Sequence, residues 1–258
     1  MNRFENRVRL VMVFSTMSLI FSQEISAQNL VNGEQYYAWN VKGMVVYSDT
    51  NTESEILDSL AFGTKVQVKD TSYPKVIRNF QVESDKDQID YSLKGHWVKI
   101  SAEDAEGYVF DGELSKRLPL ELPENKRPER EDDYLERTLG EGAVTEKREP
   151  LGTEPNIYYR WIKDIKFADG SYIHWVNIEG CDIGEFFISD ANINQVYFMF
   201  TAFLYDNRSG IYFPNADIVK LTKVKGTKLE FTDAEESYSN HITTKEDGKV
   251  VFGGGLCG

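Results

Sequence analysis

Over most of its length this chain places apolar residues at every second position, and twice it shifts to a helical period. Met44–Tyr47 (MVVY) is a short apolar run, followed by the polar turn 48–54. Ile56, Leu57, Leu60 and Phe62 come next, then Gly63-Thr64. In residues 65–69, Val66 and Val68 alternate with polar neighbours, as in a half-buried strand. Residues 93–115 hold two aromatic and β-branched runs, Trp97-Val98 with Ile100 and Tyr108-Val109-Phe110. Gly95 and Gly107 precede them and an acidic turn lies between, which predicts a hairpin. Residues 70–91, with Ile77, Phe80 and Val82 before the acidic run SDKDQID, predict a further hairpin ahead of the Trp97 strand.

Residues 118–155 break this pattern. Pro119, Pro123, Pro128, Pro150 and Pro155 stand among many charges, a composition that buries too little apolar surface to order itself, so the stretch is expected to be a linker. Within it, 132–139 has the makings of two helical turns ending at Gly140. Beyond it, 157–167 and 172–178 are strands flanking Asp169-Gly170, a strong hairpin signal. Phe186–Ile188 is another short apolar run. In 192–205, Ile193, Val196, Tyr197, Phe200, Phe203 and Leu204 fall on one helical stripe, with Asp190 or Asn192 as cap. Phe198 and Met199 lie off that stripe, toward solvent or a partner. Further strands are expected at 218–221, 228–231 and 249–252, and Gly253-Gly254-Gly255 as a turn that swings Cys257 back. The fold class is mainly β, with a first domain of strands at 36–117 and an α+β domain at 156–258 built of an antiparallel sheet and one main helix.

Twenty-nine Tyr and Phe residues reinforce the strand assignment. The first 27 residues read differently. Arg3, Arg7 and Arg9 precede a twelve-residue apolar run at 10–21, and Ile25-Ser26-Ala27 offers small residues before Gln28. That order is a secretory signal peptide cleaved after Ala27, and the run is shorter than the ~20 residues a membrane helix needs. The chain is therefore expected to be exported, periplasmic or secreted, with no membrane insertion after signal removal. Cleavage removes three Arg and two Glu, one net positive charge, so the net charge moves from −13 to −14. Nucleic acid and anionic lipid both demand clustered cations, so neither is an expected partner. Two cysteines in an exported chain, Cys181 and Cys257, suggest one disulfide.

Gly-x-Trp-x-Lys-Ile at 95–100, a short polar loop, Gly107-Tyr108-Val109 and the continuation Phe-Asp-Gly-Glu-Leu-Ser at 110–115 together resemble the close of a bacterial SH3-like (SH3b) domain. The strand, Gly-Thr turn and Val-x-Val run at 44–69 are similar to its first half. The resemblance covers about a third of the chain and implies a small β-barrel that recognises cell-wall peptide or another extracytoplasmic protein, without catalysis. The groove it implies has Tyr47, Trp97 and Phe110 as candidate walls. Core packing is the competing role, because aromatic side chains in small barrels mostly pack.

Other chemistry is sparse. His96, His174 and His241 stand far apart, with no His-x-x-x-His or Cys-x-x-Cys spacing, so no metal site is expected. Asp85, Asp87 and Asp90 lack the turn glycine and closing Glu of a calcium loop. No phosphate-binding glycine loop leads into a helix, and no cofactor is expected. Cys181 lacks a local peptidase motif and has Cys257 as a simpler partner. Two alternatives to a binding module remain. One is a cell-wall hydrolase that gathers His174, Asp182, Glu185 and His241 in one pocket. The other is a structural or inhibitor-like interaction protein acting through residues 156–258.

Overall fold

A computed structural model describes residues 30–72, 77–82, 91–102, 105–122, 129–153, 156–206, 211–212, 220–225, 227–232 and 238–257. The expected signal peptide and the acidic run 84–90 lie outside the described residues. The described residues are mainly β, with two eight-stranded antiparallel sheets, a two-stranded ribbon and two α-helices.

The first sheet is formed by β1 (Gln35–Ala38), β2 (Met44–Tyr47), β3 (Ile56–Leu60), β4 (Lys65–Asp70), β5 (Ile77–Gln81), β6 (Ser92–Ala102), β7 (Ala105–Phe110) and β8 (Leu114–Ser115). A 3-10 turn at Asp111–Glu113 separates β7 from β8. The order is β3-β2-β7-β6-β4-β1-β8, with β5 paired to the start of β6. The expected hairpin forms as β6–β7, with Trp97 opposite Phe110, and residues 77–81 pair with 92–96 ahead of it.

β6 serves two cores. Leu93, Gly95 and Trp97 are buried on one face, and Val98, Ile100 and Ala102 on the other. The even-numbered set joins Tyr36, Met44, Val46, Leu60, Val66, Val68, Val109 and Leu114 in one cluster. Leu93, with Trp39 and Phe110, belongs to a second and larger cluster.

That larger cluster spans the rest of the molecule. Helix α1 (Glu131–Leu139) ends at Gly140, whose φ of +83° suits glycine. The second sheet then runs β9 (Ala143–Thr153), β10 (Asn156–Lys166), β11 (Tyr172–Ile178), β12 (Cys181–Phe187), helix α2 (Ile193–Phe203), a small ribbon of β13 (Tyr205–Asp206) and β14 (Ile211–Tyr212), and β15 (Lys220–Lys225), β16 (Lys228–Thr232), β17 (Tyr238–Thr244) and β18 (Val250–Cys257). Its order is β15-β16-β17-β18-β12-β11-β10-β9. The stretch expected as a linker, 118–155, thus supplies α1 and an eleven-residue edge strand. The expected glycine turn at 253–255 lies inside β18, between β12 and β17. A Cβ at Gly254 would overlap the Asn240 side chain, so close approach of neighbouring strands, rather than a turn, explains the glycine.

Helix α2 is clamped between the two sheets. Asn192 caps it by accepting from the N–H groups of Asn194 and Gln195, while the Gln195 side chain accepts from the Asn192 N–H. The same two helix residues reach the first sheet: Asn194 Nδ2 donates to the Lys94 carbonyl (2.9 Å) and Gln195 Nε2 to the Leu114 carbonyl (3.3 Å). Phe198 meets Phe110 edge-on at 6.5 Å, while Phe200 and Phe203 pack on Phe231 and Phe252 of the second sheet. Phe198 and Met199, expected to face out, are therefore buried, because a helix sandwiched between sheets needs two apolar faces.

Tyr134 of α1 sits edge-on between Trp39 (6.0 Å) and Phe203 (5.6 Å) and donates its hydroxyl to the Leu118 carbonyl. Arg117 completes the junction, donating to Asp169 Oδ2 (2.9 Å) and the Ser189 carbonyl (2.7 Å). Tyr134→Ala is expected to cost about 3–5 kcal/mol, as for other buried aromatics. Urea denaturation followed by tryptophan fluorescence and by far-UV dichroism should show one shifted transition. Two separated transitions would mean that the sheets do not share this core.

Candidate binding face and titratable row

Tyr47, Trp97 and Phe110 do not line an open groove. Trp97 is 3% exposed and Phe110 is fully buried; Tyr47, 9% exposed, packs edge-on against Trp97 at 5.4 Å. Phe110 stands opposite Trp97 across β6–β7, and Phe198 of α2 packs against its ring.

Beneath them lies a buried polar turn. Asp111 Oδ1 accepts the His96 backbone N–H (2.9 Å) and Oδ2 lies 3.3 Å from His96 Nδ1. Glu113 accepts from Asn40 Nδ2 at 2.7 Å. The Asp111 hydrogen bond holds His96 above its ordinary value, against burial acting the other way.

The second sheet has a titratable row on the face away from α2. Residues directly opposite in antiparallel strands share a face. The register sets Asp164, His174, Glu185, Gly253, His241 and Glu230 in line across six strands. His174 Nδ1 lies 2.6 Å from Asp164 Oδ1. Glu185 takes the Lys245 ammonium at 2.9 Å and lies 3.9 Å from His241 Nε2. A Cβ at Gly253 would lie 3.2 Å from His241 Cε1 and 3.3 Å from Glu185 Cγ, so the missing side chain lets these two lean together. Burial pushes the His241 imidazole below its ordinary value.

Three of the four residues named for a hydrolase thus share a face, but Asp182 does not. It lies on the other side of the sheet, where Asn177 Nδ2 donates to it at 2.7 Å. A depression of about 470 Å³, open to solvent, is lined by Tyr172, Lys245, Glu246, Asp247 and Lys249 rather than by the row. Among the described residues, no group of three or more His, Cys, Asp or Glu is arranged to hold a metal ion. Cys181 stands directly opposite Cys257 across β12–β18, and no cysteine is free among the described residues.

A broad display of recognition chemistry lies on the β9–β10 hairpin, whose first strand falls in the stretch expected to be a linker and whose second was expected as a strand. Alternation along β10 puts Tyr159, Trp161, Lys163 and Ile165 on the face that α2 covers. Ile165 is buried in the core, but Trp161 is 53% exposed and Tyr159 40%. Opposite them on β9 stand Arg148 and Pro150. The Arg148 guanidinium lies 3.5 Å from the Tyr159 ring centroid and 5.0 Å from that of Trp161, a cation–π arrangement worth about 0.5–1 kcal/mol at an exposed site. Neighbouring carboxylates are engaged elsewhere. Glu149 pairs with Lys147 and Arg160 on the other face, and Glu146 lies 4.0 Å from Lys163. Arg148 has no carboxylate partner among the described residues.

The sequence held one signal for this face. Tyr158-Tyr159-Arg160-Trp161 in a strand must turn aromatic rings to both sides, so one side needs a cover or a partner. No protein-family model matches the chain, and comparisons with curated proteins and with solved structures likewise found no match.

A histidine with a raised value stabilises the fold fully below its ordinary value, and the contribution is lost as pH rises through the raised one. The His96–Asp111 contribution is therefore expected to fade as pH rises above the ordinary histidine value of about 6.5. Asp111→Asn should flatten that part of the stability profile. An unchanged slope in urea titrations of the variant would show that His96 is not the group responsible.

Proposed function

We propose that this is an exported, non-catalytic binding protein that recognises cell-wall peptide or another extracytoplasmic protein. The observation that carries this reading is the exposed Tyr159–Trp161–Arg148 face. Tyr, Trp and Arg are the residue types enriched in protein interfaces and their hot spots, and here they lie together on a rigid hairpin. The first sheet fits the role of an SH3-like barrel. All its strands except β5 give side chains to one cluster, and the last strand returns to the first after a 3-10 turn. In this reading the barrel is a docking scaffold, and recognition moves from the Tyr47–Trp97–Phe110 groove to the second sheet. Opposed cysteines at 181 and 257 agree with an oxidising compartment. Their Cα atoms fall in the range of about 4.5–5.5 Å that opposite antiparallel residues share and that a disulfide needs.

Two experiments test the reading. Purified residues 28–258 should sediment with isolated peptidoglycan sacculi, and Trp161→Ala should reduce the bound fraction at least tenfold while leaving the urea midpoint unchanged. Failure of the parent protein to sediment would remove the wall assignment. Alkylation followed by mass measurement should label neither cysteine until reductant is added; labelling of the unreduced protein would remove the disulfide.

A further inference from the structure

We infer that β9 takes an extended, acidic protein segment as an added strand, with a carboxylate of that segment held by Arg148. This rests on the binding reading above and names the partner's chemistry.

The first observation is the edge itself. Among the described residues, β9 is the last strand of its sheet and pairs only with β10, which leaves one side of its eleven-residue backbone open. An extended peptide binds such an edge through main-chain hydrogen bonds, and its alternate side chains find the flanking surface. Pro150 has no N–H to offer, so the run before it, 144–149, is the usable length.

The second observation is charge. The whole chain is strongly acidic, with a net charge of −13, yet β9 and β10 carry five cations against three carboxylates. Glu146 and Glu149 already face lysine or arginine partners, and Asp164 faces His174. Arg148 and Lys166 are the exposed cations left over among the described residues, and of the two Arg148 is the one stacked on aromatic rings. With its Cζ 3.5 Å from the Tyr159 ring centroid and no carboxylate partner among the described residues, the Arg148 guanidinium has N–H groups left for the two parallel hydrogen bonds by which arginine grips a carboxylate.

Charged residues on an edge strand also guard against unwanted pairing. The opposite edge, β15, fits that simpler role, since it is short and carries Lys220, Lys223 and Lys225. β9 differs in length, and its arginine is stacked on exposed aromatic rings beside the edge. An added strand would place every second side chain on the Arg148 face, beside Arg148 itself, with Trp161 one strand further in on β10.

The probe is a blocked peptide, Thr-Val-Thr-Glu-Thr-Val-Thr, with its Gln counterpart as control. Titrated into residues 28–258, the Glu peptide should shift backbone amide signals of 144–149 and the Trp161 indole signal in a saturable way. Arg148→Gln, and separately the Gln peptide, should each weaken binding at least tenfold, with Arg148→Lys falling between. Equal binding by Arg148→Gln, or shifts away from β9, would overturn the inference. So would preferential binding of peptide-free wall glycan, which would make the aromatic face a sugar platform. If no peptide binds but Trp161→Ala still abolishes sedimentation with sacculi, this inference falls and the wider reading stands. If that dependence is absent too, both fall.

Discussion

The fold depends on one helix packed between two sheets. α2 has eleven residues, about 16 Å of helix, and its two apolar faces are claimed by different sheets. Phe200 and Phe203 belong to the second sheet and Phe198 to the first, while the amides of Asn194 and Gln195 tie its N-terminus to carbonyls of the first sheet. Tyr134 fills the remaining gap between Trp39 and Phe203. These groups lie far apart in sequence, so most of the core consists of long-range contacts. Loss of any one exposes apolar surface of both sheets.

This arrangement also explains why a chain that reads as two modules behaves structurally as one body. The strands of 44–69, 92–110 and 157–187 were legible because their alternation and turn residues are local properties. So was the capping of α2 by Asn192. The double burial of α2 was not legible, because a helical stripe records only the better of two apolar faces. α1 and β9 were obscured by their charge. A nine-residue helix that buries two side chains, Tyr134 and Leu135, and an edge strand exposed along most of its length resemble a linker in composition. The expected groove failed for a related reason: Phe110 carries the aromatic signature of a binding wall, but its face is occupied by α2.

The uncovered aromatic face follows from dimensions. Eight strands at about 4.8 Å spacing make a sheet about 34 Å across, and eleven-residue strands run about 37 Å. A helix about 10 Å wide and 16 Å long cannot cover that area, even with α1 beside it. Cover is concentrated where Ile165, Ile173, Phe186, Phe252, Ile242 and Leu229 form the core floor. It fails along β10 toward Tyr159. Without a partner in mind, physical chemistry would put polar side chains on that uncovered end, since exposed aromatic rings gain nothing from water. The sequence keeps Tyr159 and Trp161 there and lays Arg148 over them.

The two faces of the second sheet therefore differ in kind. On the outer face, acids and bases are matched across strands: Asp164 with His174, Glu185 with Lys245, Glu149 with Lys147 and Arg160. Such mutual pairing satisfies each charge within the protein and leaves little for a ligand. On the inner face beyond α2, an arginine rests on aromatic rings with no carboxylate partner among the described residues. Recognition needs groups whose best partner is absent from the protein itself. By that criterion the Arg148–Tyr159–Trp161 face is poised for an outside partner, and the row of His174, Glu185 and His241, though richer in titratable groups, is largely self-satisfied.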